Sequence, residues 1–208
     1  AASLNSQDGK IALQAQNDIQ ITEGRSTYEL DEAHKIVSRG VLSKSTLQTH
    51  DTINTNTAIS SDITGKQVVV NAGNDALIRG SNLVSDNLTQ VNAGNDVNIL
   101  SASNNETTSN FKEVKKSGLM GTGGFGFMIG SKQDSTDTDN TNITQTGSQV
   151  GSLSGKVNIV AGNHYQQTGS SVTSGQSVDG QFVAGDAVNI VAKSVDITAG
   201  QNTYATDT

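Results

Sequence analysis

The sequence predicts an all-β fold, a right-handed parallel β-helix (β-solenoid) with two antiparallel β-hairpin excursions, and three observations carry that prediction. Half of the 208 residues are Gly, Asn, Gln, Ser or Thr, while only 33% are hydrophobic and 3% aromatic, too few to fill a conventional layered core. One short unit of alternating residues recurs along the chain. Each copy is punctuated by Ala-Gly-Asn-Asp or a relative of it. Low hydrophobicity also marks disordered chains. Here the absence of Pro, a charged fraction of only 16% and apolar residues that are β-branched and closely spaced favour ordered strands.

Taken in order, the units are GKIALQAQNDIQI (Gly9 to Ile21), GKQVVVNAGNDALI (Gly65 to Ile78), QVNAGNDVNIL (Gln90 to Leu100), GKVNIVAGNHYQ (Gly155 to Gln166), FVAGDAVNIVA (Phe182 to Ala192) and a terminal VDITAGQN. Each reads as a short strand, a corner and a second strand. Strands such as Val68-Val69-Val70, or Val97 and Ile99 with Asn98 opposite, have period two and are too short to bury themselves alone. Gly and Asn accept left-handed φ, so Ala-Gly-Asn-Asp reads as the sharp corner between them. The corner Ala recurs at 72, 93, 161, 184 and 199. Coils of about 20 residues stacked at ~4.8 Å then bury thin apolar rows and allow ladders of like polar side chains outside. The rungs fall at about 9–22, 63–103 and 151–205 of a single β-helical segment belonging to a larger protein.

Two gaps interrupt the period and look like copies of one excursion, over about 23–62 and 104–150. SRGVL (Ser38 to Leu42) matches KSGLM (Lys116 to Met120), and Ser43-Lys44 matches Ser131-Lys132 once Gly121 to Gly130 is treated as an insertion. Each excursion reads as two arms running out and back, rich in Thr and charges. An antiparallel hairpin is expected, with a helix over Tyr28 to Val37 as the rival.

The formal charge of −7 speaks against a phosphate-backbone binder, so no nucleic-acid partner is expected. Without Cys there is no disulfide, thiolate metal site or thiol nucleophile. The start, AASLNSQDGK, carries no signal-peptide pattern, and no window approaches 18 apolar residues. Open coil ends would present unpaired backbone groups, so end-to-end self-association of the fragment is expected.

No motif argues for catalysis, and neither a cofactor nor a metal is expected. Gly121-x-Gly123-x-x-Gly126 satisfies the dinucleotide fingerprint literally, but lacks the buried strand before it and the helix after it. The glycines read better as a tight hairpin tip. Asp134, Asp137 and Asp139 lack the Gly turn and distal bidentate carboxylate of a calcium loop, and read as a solvated edge that discourages sheet-to-sheet pairing. Asp75 and Asp96 read as turn-forming corner residues. His34, His50 and His164 are scattered, and no carboxylate cluster recurs on one face as a polysaccharide lyase would need.

The informative patch is Leu119, Met120, Phe125, Phe127, Met128 and Ile129. On a strand, Phe125, Phe127 and Ile129 share one face. Folding back over a flank of the coil would bury them as a satellite core; left outside, they offer a contact surface for a lipid bilayer, a partner or a neighbouring copy.

The string KKSGLMGTGGFGFMIGSKQ, the Thr/Asp/Gln-rich return, VGSLSGKVNIVAGN and GDAVNIVAKSVDITAGQN together resemble the second filamentous-haemagglutinin repeat region of two-partner-secreted exoproteins, nearest to contact-dependent growth inhibition toxins of the CdiA type. The resemblance covers nearly the whole chain, and its most specific part is the KSGLM…GGFGFMIGSK arm; the first excursion departs from it by lacking the Gly/Phe tip. It implies a non-catalytic segment of a very long virulence-associated protein, exported by an outer-membrane two-partner secretion transporter to the bacterial cell surface, with periplasmic holding before delivery. It implies a rod or conduit for delivering a toxin carried elsewhere in the parent, acting at the target cell's outer membrane or a receptor there. An adhesin segment binding a surface glycan or receptor is the alternative function, and a β-helical polysaccharide lyase a more distant one.

Overall fold

The structure, a computed structural model, describes the backbone of residues 1–121 and 127–208 and the side chains of 1–119 and 129–208. It is all-β, with no helix among the described residues. The strands are β1 (Ser3–Ala15), β2 (Ile19–Thr22), β3 (Gly24–Arg39), β4 (Ser43–Ile59), β5 (Asp62–Ala72), β6 (Ala76–Arg79), β7 (Asn82–Ala93), β8 (Val97–Leu100) and β9 (Ala102–Gly121). They continue as β10 (Phe127–Thr146), β11 (Gln149–Ser152), β12 (Lys156–Ala161), β13 (His164–Thr168), β14 (Ser171–Val178), β15 (Gln181–Ala184), β16 (Val188–Val191), β17 (Ser194–Thr198) and β18 (Thr203–Asp207). The helical alternative over Tyr28 to Val37 is excluded, since that stretch lies within β3. Two compact units result: Ala1–Ser26, Thr57–Asn104 and Thr144–Asn202 form the first, and Thr27–Asn56, Asn105–Ile143 and Thr203–Thr208 the second.

In the first unit the chain alternates between two sheets, so that each pass adds parallel strands to both. One sheet stacks β1, β5 and β7, then β11 with β12, then β14 with β16; the other stacks β2, β6, β8, β13 and β17. Register follows the repeat, with Ala15 level with Ala72 and Ala72 with Ala93. Alternation sends Val68, Val70, Val91, Val157 and Ile159 inward against Ile78, Val97, Ile99 and Tyr165, all fully buried. Residues of the opposite parity form ladders: the Asn92 side-chain amide donates to Asn71 Oδ1 at 2.7 Å, and Asn189 to Asn158 at 3.1 Å.

The corners work differently from the sequence expectation. Gly73, Gly94 and Gly162 are not in the positive-φ region, nor are the Asn and Asp residues beside them. They are glycines because stacked corners approach closely: a Cβ on Gly94 would lie 2.1 Å from the Gly73 carbonyl oxygen, and one on Gly162 2.0 Å from that of Gly94. The Asp residues bind the next coil. Asp75 Oδ1 accepts from the Asn95 amide at 2.9 Å and from Asp96 N–H at 3.1 Å; Asp96 Oδ1 accepts likewise from Asn163 and from His164 N–H. Asp18 does the same for Asn74 and Asp75.

A second row of corner residues is Ser61, Ser81, Ser148 and Ser170, each preceding residues paired in register (Asp62, Asn82, Gln149, Ser171). Ser148 Oγ donates to the Leu100 carbonyl at 2.7 Å and accepts from Ser81 N–H at 3.2 Å, satisfying backbone groups that the turn leaves open.

Two other expectations change. Val157–Val160 pairs with Val188–Val191, which sets Ala192, not Ala184, at the level of Ala161. Ala184 belongs to β15, which forms an antiparallel hairpin with β14 across Asp179 and Gly180, at φ +49° and +77°, the pattern of a type I′ turn. Thr203–Asp207, included in part within the last rung by the sequence, pairs antiparallel with β10 instead.

The second unit is one sheet in the order β18-β10-β9-β4-β3. β4 and β9 run antiparallel from Ser43 opposite Gly118 to Asn56 opposite Asn105, so arms expected to form two separate hairpins share a sheet. Among its described residues only Glu113 is buried. The sheet is a single layer whose faces are mostly polar, with Tyr28, Ile36, Val37 and Tyr204 exposed among them.

Candidate functional site

Five of the six residues singled out from the sequence fall at one end of the second unit's sheet. Leu119 and Met120 lie on β9, and Phe127, Met128 and Ile129 on β10; Phe125 and the side chains of Met120, Phe127 and Met128 lie outside the described residues. Leu119 is 40% and Ile129 81% exposed. The Gln133 side-chain amide donates to Glu113 Oε1 at 2.6 Å, which places these two on one face. Strand alternation then carries Leu119 and Ile129 to that same face.

The same end is strongly basic, which the sequence reading missed. A recess of about 320 Å³ is lined by Lys44, Thr46, Lys115, Lys116, Ser131 and Lys132. A neighbouring one of about 180 Å³ adds Ser38, Gly40, Ser45 and Leu119. Lys115 Nζ lies 2.8 Å from Glu113 and Lys132 Nζ 3.0 Å from Asp134; among the described residues Lys44 and Lys116 have no carboxylate at ion-pair distance. The turn between β3 and β4 adds fully exposed Val41 and largely exposed Leu42. The available signal was the matched Ser-Lys pair flanking both apolar strings, hidden by an overall charge of −7.

The other candidates acquire local roles. Asp137 and Asp139 share one face of β10 while Asp134 projects from the other, so the three do not converge on an ion. No group of three metal-ligating side chains occurs among the described residues. His34 pairs with Glu32, His50 with Asp31, and His164 Nδ1 lies 2.8 Å from Ser194 Oγ, three separate surface contacts. The dinucleotide-like glycines fall largely outside the described residues.

Two titrating groups are perturbed, both in the first unit. Glu23, whose side chain is 2% exposed, binds Arg79 Nε at 3.0 Å and Arg25 at 2.6 Å, while Arg25 also donates to the Ser103 carbonyl. Burial favours the neutral acid, but the hydrogen bonds and charge of Arg79, with Arg25, outweigh it and hold the carboxyl below its usual value. This cluster ties the ends of β2, β6 and β9 together. A depressed carboxyl stabilises the fold above its unfolded-state value and loses that contribution as pH falls through the folded one. Glu23→Gln is therefore expected to be less stable at neutral pH and to lose less stability on acidification below about pH 4, measured by urea denaturation across pH. Tyr165 is fully buried, and burial pushes its phenol from 10.0 to about 12.

The hemagglutinin repeat family model matches residues 42–208. The chain is 37% identical over 190 residues to "tRNA nuclease CdiA" of Escherichia coli (strain STEC_O31), covering 90% of this chain and 6% of that protein. It is 37% identical over 183 residues to "16S rRNA endonuclease CdiA" of Enterobacter cloacae subsp. cloacae, covering 86% of this chain and 5% of that one. With "tRNA nuclease CdiA" of Yersinia mollaretii it shares 30% identity over 197 residues, 93% of this chain and 6% of the relative. The chain thus spans only a small fraction of each relative's length. No solved structure matches it.

Proposed function

Since the chain belongs to the hemagglutinin repeat family, we propose that it is a non-catalytic rod or conduit segment of a large, secreted, cell-surface exoprotein of the CdiA kind, serving delivery of a toxin borne elsewhere in the parent. The observation that carries this is the combination of relatives named for nucleases with a matched segment amounting to 5–6% of their length. Catalysis in such a parent belongs to other parts of the chain. In this reading the coil is right-handed, the antiparallel arms are excursions from it, and export proceeds through an outer-membrane partner transporter acting on the parent.

Contact with the target-cell outer membrane falls to Leu119, Met120, Phe125, Phe127, Met128 and Ile129. Along β10 beyond Ile129, Thr, Asn and Asp occupy both faces, which does not suit a strand crossing hydrocarbon. The contact is thus superficial, made by an edge. In the intact exoprotein, Phe125→Asp with Phe127→Asp should leave secretion unchanged and sharply reduce killing of target cells in co-culture. Undiminished killing would rule out the contact role.

A further inference from the structure

Charge in the second unit is segregated along the sheet. All seven of its Lys and Arg residues lie in 35–48 and 112–133, accompanied there by one carboxylate, Glu113; the remainder of the unit has nine carboxylates and neither Lys nor Arg. The β4–β9 register brings the two basic stretches level, Ser45 opposite Lys116 and Thr46 opposite Lys115, and the 320 Å³ recess joins Lys132 to them. Lys115 is offset by Glu113 and Lys132 by Asp134, both within 3.0 Å, which leaves Lys35, Arg39, Lys44, Lys112 and Lys116 as the less neutralised cations, with Lys44 and Lys116 lining the recess. Alternation puts Lys44 and Lys115 on the face of Leu119 and Ile129, and Lys116 and Lys132 on the other, so the charge wraps the end of the sheet, where Val41 and Leu42 are also exposed.

We propose that this basic, apolar-rimmed end is a docking surface for an anionic lipid layer, its lysines engaging headgroup phosphates while Val41, Leu42 and Ile129 enter the headgroup boundary. The inference deepens the membrane-contact reading and rests on it, but assigns the contact to charge and to the β3–β4 turn as well as to β9 and β10. Two features select this occupant. A cluster of cations net positive within a chain of net charge −7 attracts anions locally where the chain as a whole repels them. Apolar side chains of this size standing among lysines match an interface that is anionic outside and apolar beneath, as a phosphate-bearing lipid surface is.

The test is partition of the 208-residue chain onto vesicles, read by co-sedimentation. Binding is expected to phosphatidylcholine vesicles containing phosphatidylglycerol, to be weak on phosphatidylcholine alone, and to fall with added salt. Each cation removed should lower partition about fivefold, so Arg39→Gln with Lys44→Gln and Lys116→Gln should lower it about a hundredfold. Circular dichroism unchanged from the parent would verify that this variant folds. Val41→Ser with Leu42→Ser, in the exposed turn, should reduce binding while keeping its salt dependence. Equal partition onto neutral vesicles, or full binding by the triple Gln variant, overturns the proposal. Release by inorganic phosphate at constant ionic strength overturns it in favour of a single phosphate pocket, and salt-sensitive sedimentation without vesicles that the triple Gln variant abolishes overturns it in favour of the acidic stretch of a second copy. Failure here with delivery still lost in the Phe125/Phe127 variant removes only the lipid-charge assignment; vesicle binding with undiminished killing removes the delivery role instead.

Discussion

Gly94→Ala should destabilise the chain by about 3 kcal/mol, an overpacking cost at a site with nowhere to relax. Its new Cβ would stand 2.1 Å from the Gly73 carbonyl oxygen and 3.0 Å from that residue's carbonyl carbon, both backbone atoms held in the stack. Gly94 N–H also donates to the Ala72 carbonyl at 3.1 Å, so moving the corner away breaks a coil-to-coil hydrogen bond. Gly180→Ala is the comparison: no atom lies within 4 Å of its Cβ position, and its φ of +77° is the source of strain. That variant should lose about 1 kcal/mol. Urea midpoints of the two variants measure the difference. If Gly94→Ala were as mild as Gly180→Ala, close approach would not be why the corners hold glycine.

Tyr165 gives the second large effect. It is the largest fully buried side chain, and it stands level with Val97 of the coil before and Val195 of the coil after. Tyr165→Ala should cost about 4 kcal/mol through the cavity it leaves. Tyr165→Phe keeps the ring but removes the hydroxyl that donates to Gln167 Oε1 at 2.8 Å, for about 1 kcal/mol. The two also differ from the parent in alkali. Because the folded phenol is raised to about 12, its stabilisation is complete below pH 10 and is lost as pH climbs from 10 to 12. The loss amounts to about 3 kcal/mol in the parent and should be absent from this source in Tyr165→Phe. Equal alkaline loss in both proteins would mean that the ring is not the group responsible.

The coil was legible because its signal is local and repeated. Alternation in Val68–Val70 and Val97–Ile99, and the recurrence of Ala-Gly-Asn-Asp, locate the stacked strands without knowledge of long-range contacts. The cause of the corner was not legible, since a glycine needed for φ and one needed for proximity read alike in sequence; only the stacked backbone distinguishes them. The serine row was available as Gly-Ser before Asn82, Gln149 and Ser171, but a Gly-Ser pair is ordinary in a chain so rich in both. Asp179-Gly180 between alternating residues is a hairpin signal, and it was hidden by the resemblance of FVAGDAVNIVA to a corner unit. The pairing of β4 with β9 joins residues far apart in sequence whose Thr-rich strands carry no register mark. At the candidate site the apolar string was visible, while the charge beside it was obscured by averaging over the whole chain.

The corner aspartates carry a further consequence. Asp18, Asp75 and Asp96 each accept from the coil that follows in sequence, and the Asn side chains each donate to the coil that precedes. The row therefore has a direction, each of these coils presenting an acceptor forward and a donor back, and it stops where His164 stands in place of the aspartate. A coil slipped by one residue would bring each carboxylate against the wrong backbone N–H, so the relay fixes the register of the coils from Asp18 to Asn163 and leaves the coil after His164 to be aligned by its strand pairing.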